Sequence, residues 1–122
     1  MFELSKQFRF EAAHTLHRVG LAAASEAASR RIHGHSYRAD VTLRGERDAQ
    51  GMVLDLERVA AALAHVRALL DHQFLDDVAG LGPATLENLA AFIWAKLTDE
   101  LPGLTRVAVY RDSEGDACVY TG

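Results

Sequence analysis

Hydrophobic and polar residues alternate near both ends of the chain, in the pattern typical of half-buried β-strands. Residues 2–10 place apolar side chains at every second position, except at Lys6, and predict a first strand. The alternation resumes over residues 37–44 and predicts a second strand. Residues 104–111 and 117–121 predict two more, so four strands are expected in all.

Between the second and third strands the apolar residues recur every three or four positions, which indicates two amphipathic helices. Asp55 is the expected N-cap of a helix over residues 56–70, and a second helix begins near Thr85 and ends before Pro102-Gly103. Residues 20–29, GLAAASEAAS, predict a long loop with some helical character. The order ββααββ predicts an α+β fold with two helices on one face of an antiparallel sheet.

Length and composition restrict the class of protein. The chain has 122 residues, which predicts one domain over residues 1–122. Its 13 basic and 17 acidic residues disfavour a nucleic-acid partner, and no apolar run is long enough for a membrane partner. Cys118 is the only cysteine, so an internal disulfide is excluded and a cytoplasmic location is expected.

The histidines carry the first chemical signal. His33 and His35 are separated by Gly34 and therefore point to the same face of a strand, about 7 Å apart along it. Either His14 or His17, just after the first strand, can supply a third ligand, and spacing alone does not decide between them. Three imidazoles with an open fourth position are typical of catalytic zinc, although surface histidines beside a turn would give the same H-x-H spacing.

Other polar residues have both a catalytic and a structural interpretation. Asp71 and His72 follow the first helix, where they can form an acid/base pair or merely end the helix. Thr85 and Glu87 can bind a ligand or serve as an N-cap and a first-turn acid. Asp112 ends the third predicted strand and is by default a turn former.

Several motifs together resemble the 6-pyruvoyl-tetrahydropterin synthase / 6-carboxy-tetrahydropterin synthase family over nearly the whole chain. The matching segments are FRFEAAH at 8–14, RIHGHSY at 31–37, GMVLDL at 51–56, LDHQFLDD at 70–77, ATLENLA at 84–90 and CVYTG at 118–122. The short chain and its L-D-H-x-x-L-D block make it most similar to the bacterial 6-carboxy-tetrahydropterin synthases.

The resemblance implies a fold, an assembly and a reaction. Family members have the tunnelling fold, whose sheets join into a trimeric barrel, and two trimers stack as a hexamer. They are zinc-dependent lyases that convert 7,8-dihydroneopterin triphosphate. The expected function is thus a 6-carboxy-tetrahydropterin synthase of queuosine or 7-deazapurine biosynthesis. The alternatives are a 6-pyruvoyl-type or related pterin lyase, or a catalytically silent homologue that binds pterin or zinc.

The resemblance also assigns roles to individual residues. It implies that zinc is bound by His14, His33 and His35, and this favours His14 over His17. It also implies a catalytic pair and three residues that bind the pterin. The pair is Asp71 and His72, and the pterin-binding residues are Thr85, Glu87 and Asp112. Asp112 stands where the family has a glutamate and is expected to be catalytic as well.

One position departs from the family pattern. The catalytic base of the family is usually a cysteine four residues before the first histidine of H-G-H, and Ser29 stands there. A serine hydroxyl is a far weaker acid than a thiol and acts only when a neighbouring base takes its proton. Ser29 is therefore expected to relay a proton to Asp71-His72, or Glu26 in the same loop replaces the cysteine.

Overall fold

A five-stranded sheet forms the centre of the computed structural model, which describes residues 1–16 and 22–122 but not the side chain of Ser29. The elements, in chain order, are β1 (Phe2–His14), α1 (Ala23–Arg30), β2 (His33–Gly45), α2 (Leu56–Leu70), β3 (Gln73–Phe74), α3 (Leu86–Leu97), β4 (Leu104–Arg111) and β5 (Asp116–Thr121). The strand order in the sheet is β3-β1-β2-β4-β5. Neighbouring strands are antiparallel except β3, which is parallel to β1.

The predicted order of the four long strands and two long helices is confirmed, and the structure adds three short elements. Helix α1 occupies most of the segment predicted as a loop, because its alanines have the highest intrinsic helix propensity. A 3₁₀ turn over Leu75–Asp77 follows β3, which has two residues and forms where the chain after α2 runs beside β1. His17, the alternative metal ligand, lies outside the described residues.

The two long helices cover one face of the sheet, where the apolar side chains of the strands point. Helix α2 packs on β1, and α3 packs on β4 and β5. The largest side chains that are fully buried in this layer are Tyr37, Phe10, Leu43, Leu70, Leu75, Leu89, Ile93, Leu97 and Leu101. The opposite face carries the alternate, polar residues of the same strands, which matches the alternation in the sequence. None of the described helices is both long and apolar enough to span a membrane.

The helix boundaries follow from side-chain caps. The carboxylate of Asp55 accepts a hydrogen bond from the Glu57 amide (2.9 Å), as predicted from the sequence. Helix α3 ends at Leu97, five residues before Pro102. The turn after it needs Gly103, because its φ is +86° and an added Cβ would lie 2.7 Å from the carbonyl oxygen of Arg44.

Candidate metal centre and its surroundings

Three histidines converge at one end of the sheet, on the face that carries the helices. The register of β1 and β2 places His14 opposite His33, and Ala12 opposite His35. The three ring centroids lie 4.4, 5.1 and 5.0 Å apart, and one nitrogen from each ring lies within 4.8 Å of the others. Such a group is able to hold one metal ion.

The backbone sets the tautomer of two of the rings. His14 Nδ1 lies 3.1 Å from the Thr15 carbonyl oxygen, and His33 Nδ1 lies 2.9 Å from that of Arg31. A carbonyl oxygen only accepts hydrogen bonds, so each Nδ1 is the protonated nitrogen and each Nε2 carries a lone pair. In the third ring, His35 Nε2 faces a guanidinium donor, Arg111 Nη1, at 3.4 Å.

The free nitrogen of His14 is the observation that fits a metal ion best. His14 is 2% exposed, and its Nε2 is one of few buried polar side-chain atoms without a hydrogen-bond partner among the described residues. Burying a nitrogen without a hydrogen-bond partner costs folding free energy, whereas a metal ion bound to this nitrogen would satisfy it. Burial lowers the pKa of His14 and also that of His35, with a further contribution from Arg111 to both. The neutral form, which binds metals, is therefore favoured.

The histidines line a cleft of about 560 Å³ that also contains charged groups. Arg31, Arg111, Glu114 and Asp116 contribute to its wall, together with Ala28 near the end of α1. Arg111 was not among the site residues predicted from the sequence. The alternation of residues in β4 could have identified it. Arg111 lies two residues beyond the buried Val109 and is therefore on the same face of the sheet as the histidines.

The carboxylate of Asp71 is tied to β1. Its Oδ1 accepts a hydrogen bond from the Glu11 amide (2.8 Å), and its Oδ2 pairs with Arg67 at 2.9 Å. These contacts, the Glu11 amide first, hold the pKa of Asp71 below its usual range. The carboxylate is therefore ionised at neutral pH.

His72 is held by its backbone and leaves its ring exposed. Its amide donates to the Glu11 carbonyl oxygen (2.6 Å), and its φ of +59° lies in the left-handed region, which is uncommon for a residue with a side chain. The ring is 80% exposed, and its Nε2 is 3.8 Å from Asp71 Oδ1, too far for a hydrogen bond. It lines a second cleft, of about 490 Å³, which shares His35 with the first.

The other predicted residues lie apart from both clefts. Thr85 is the N-cap of α3, where its hydroxyl accepts from the Asn88 amide (3.1 Å), and Glu87 is exposed in the first turn. Asp112 lies on the face of the sheet without helices, where Arg38 Nε and Nη2 donate to its two oxygens at 3.0 and 3.1 Å. This pair of hydrogen bonds from Arg38 lowers the pKa of Asp112. One chain therefore does not bring the predicted pterin-binding residues to the histidines.

The candidate catalytic bases lie on α1. Ser29 and Glu26 both belong to this helix, and Glu26 is half-buried. Ala28 and Arg31, on either side of Ser29, line the histidine cleft, so the backbone of Ser29 passes beside it.

The fold and the site together define an α+β protein with a three-histidine centre able to hold a metal ion. The model of the family described as 6-pyruvoyl tetrahydropterin synthase matches residues 3–122. The chain belongs to this family, whose members are tetrahydropterin synthases.

Known relatives support this assignment. The 6-carboxy-5,6,7,8-tetrahydropterin synthase of Synechocystis is 40% identical over 116 residues, which cover 89% of this chain and 85% of that protein. The solved 6-pyruvoyl tetrahydropterin synthase of Caenorhabditis elegans has a TM-score of 0.84 at 28% identity and covers 99% of this chain and 95% of its own. A Plasmodium vivax 6-pyruvoyltetrahydropterin synthase, solved with alanine in place of a glutamate described as a catalytic residue, has a TM-score of 0.75 at 18% identity. It covers 99% of this chain and 98% of its own, and this likeness shows the fold alone.

Proposed function

We propose that this protein is a zinc-dependent lyase that acts on 7,8-dihydroneopterin triphosphate, of the 6-carboxy-tetrahydropterin synthase type. The observation that carries the proposal is the convergence of three imidazole nitrogens, one of them buried and without a partner. The 6-carboxy-5,6,7,8-tetrahydropterin synthase of Synechocystis, at 40% identity, supports the type of product. The proposal includes a place in queuosine or 7-deazapurine biosynthesis and a cytoplasmic location.

In this proposal His14, His33 and His35 would hold the zinc ion. The Nδ1–H groups of His14 and His33 donate to backbone carbonyl oxygens. These hydrogen bonds fix the orientation of the two rings without the metal and leave each Nε2 free to bind it. Zinc bound there supplies Lewis-acid polarisation of the oxygens on the substrate side chain. The remaining chemistry, which is the movement of protons, belongs to residues of the chain.

His72 and Asp71 form the proposed proton-transfer pair. The exposed ring of His72 can reach a ligand in its cleft, and the ionised Asp71 stabilises the imidazolium that forms when His72 takes a proton. The ring must turn to shorten the 3.8 Å gap to Asp71 Oδ1, which exposure permits. Catalytic hydrogen bonds are often long without substrate and shorten in the complex.

The second proposed proton-transfer group lies on α1, and it is Ser29 or Glu26. Ser29 stands where family members usually have the cysteine base, beside the histidine cleft. Glu26 is the alternative base on the same helix, because a carboxylate needs no second base to accept a proton. Glu26→Ala and Ser29→Ala distinguish the two, since only loss of the working base abolishes turnover while zinc content is retained.

The pterin-binding residues are proposed to act across a subunit boundary. Thr85, Glu87 and Asp112 lie away from the histidine cleft of their own chain, so a homo-oligomer, a trimer or hexamer, would have to bring them to a neighbour's zinc. The outer strand β5 offers an edge for such contacts, with Val119 and Tyr120 exposed.

The first test is analysis of the product by mass spectrometry after incubation of the zinc-loaded protein with 7,8-dihydroneopterin triphosphate. Release of triphosphate with 6-carboxy-tetrahydropterin supports the proposal, whereas a 6-pyruvoyl product assigns the protein to the second type of synthase. Binding of the pterin without turnover would overturn the proposal and identify a catalytically silent homologue.

A further inference from the structure

Arg111 presents a guanidinium to the histidine cleft. It is the last residue of β4, and its side chain is 25% exposed on the same sheet face as His35. Its Nη1 lies 3.4 Å from His35 Nε2, within reach of a hydrogen bond. The charge of Arg111 is therefore next to the position where a ligand of the metal would bind.

Two of the described residues hold this guanidinium in place, His35 at Nη1 and Asp116 at Nη2. Nη2 donates to Asp116 Oδ2 at 2.6 Å, across the turn between β4 and β5. The Nε atom is buried and has no hydrogen-bond partner in the described part of the chain. Arginine has five N–H donors in a planar fork, so after pairing with Asp116 it retains donors for another acceptor.

The charges around the cleft favour an anionic ligand. Three neutral imidazoles leave the charge of a divalent ion uncompensated, and Arg111 adds another positive charge beside it. Arg31, Glu114 and Asp116 line the same cleft, so its two cationic and two anionic side chains balance, and a bound divalent ion would leave the cleft positive. A carboxylate matches the geometry of a guanidinium and carries one charge.

We propose that Arg111 is a substrate-binding residue that holds the carboxylate of a 6-carboxypterin beside the three histidines. The inference rests on the proposed function and extends it, because Arg111 then selects a product with a carboxyl group directly on the pterin ring. Asp116 positions the guanidinium for this contact.

The experiment measures binding of two pterins to the zinc-loaded protein by fluorescence titration. Pterin-6-carboxylate and 6-hydroxymethylpterin have the same ring and differ in the carboxylate. Arg111→Met is expected to weaken binding of pterin-6-carboxylate roughly 10- to 100-fold, since a charge-assisted hydrogen bond is lost, and to leave 6-hydroxymethylpterin unchanged. Arg111→Lys should weaken binding of pterin-6-carboxylate less, because lysine keeps the positive charge but lacks the paired donors of a guanidinium.

The matched control is Arg106→Met, on the same strand but on the opposite face of the sheet. It should bind both pterins as the unmodified protein does, and zinc content and thermal melting confirm that each variant is folded. If Arg111→Met is unstable, Asp116→Asn provides the second variant, with a smaller loss for the carboxylate alone. Equal losses for both pterins, or no loss for the carboxylate, would overturn the inference.

The outcome of this binding experiment does not depend on whether the protein catalyses the proposed reaction. A protein that binds pterin-6-carboxylate through Arg111 but does not turn over the triphosphate contradicts the proposed function and leaves this binding site intact. A protein that turns over the triphosphate while Arg111→Met binds the carboxylate normally contradicts the inference alone.

Discussion

The ring of His14 is oriented by hydrogen bonds that connect it through Thr15 to Asp76. The Thr15 carbonyl accepts from His14 Nδ1, and the Thr15 amide donates to Asp76 Oδ1 at 2.9 Å. The Thr15 hydroxyl donates to the other oxygen of Asp76. Asp76 thus holds the residue that fixes the tautomer of a proposed metal ligand, the kind of outer-shell contact that tunes metal affinity.

We therefore expect Asp76→Ala to weaken zinc binding about 10- to 100-fold, measured by competition with a chromophoric chelator. Asp76→Asn should weaken zinc binding less than Asp76→Ala does, because the amide oxygen of asparagine still accepts one hydrogen bond from Thr15. Asp77→Ala, which removes the exposed neighbouring carboxylate, is the control and should bind zinc normally. Unchanged affinity in Asp76→Ala would show that Thr15 keeps its position without the carboxylate.

Asp71 links stability to pH. Its pKa is lowered in the folded protein, chiefly by the Glu11 amide, so folding favours the ionised form. This contribution is complete above the ordinary aspartate pKa of about 3.9 and is lost as the pH falls through the lowered value. Asp71→Asn should reduce the free energy of unfolding by about 1 kcal/mol at pH 7, and the difference should shrink toward pH 3.

Urea unfolding of the unmodified protein and of Asp71→Asn, each at pH 7 and pH 3, tests this pH dependence. Asp99→Asn, at an exposed carboxylate after α3, should show no such difference at either pH. A deficit of equal size at both pH values would indicate lost packing rather than a lost charge.

At the scale of elements, the start of α3 combines a structural role with a proposed binding role. Thr85 caps the helix through its hydroxyl, which accepts from the Asn88 amide. The same hydroxyl is proposed to contact pterin. The capping role alone predicts that Thr85→Ala loses about 1 kcal/mol of unfolding free energy.

Thr85→Ser separates the two roles, because serine is an equally good N-cap. Its thermal melting should match that of the unmodified protein, whereas Thr85→Ala should melt at a lower temperature. If Thr85→Ser binds pterin normally and Thr85→Ala does not, the hydroxyl serves both purposes. Equal stability of all three proteins would contradict the capping role.

At the scale of the whole molecule, zinc would join the two strands that supply its ligands. A metal ion that binds only the folded state stabilises it by about 2.7 kcal/mol at a free concentration of 100 times its Kd. Zinc should therefore raise the melting temperature, and a chelator should reverse the change. His33→Ala should lose this response, whereas His65→Ala, at a histidine outside the cluster, should keep it. A response retained in His33→Ala would place the ion elsewhere.

The alternation of residues 104–111 and the helical spacing of residues 56–70 predicted those elements with their observed bounds, because each has one apolar and one polar face. The segment before H-G-H was predicted less completely, since the eight residues of α1 lack a clear apolar stripe. Strand β3 had no signal in the sequence, because a two-residue strand depends on its neighbour rather than on its own pattern.

Local pattern, then, determined the α+β order and the shared face of His33 and His35, since side-chain direction follows from the two-residue period of a strand. The tertiary structure decided what depends on register and on distant contacts. Pairing of β1 with β2 brought His14 opposite His33, and the same sheet placed Asp112 on the other face, bound to Arg38. It also turned Arg111 toward the histidines, because strands far apart in the chain become neighbours only when the sheet forms.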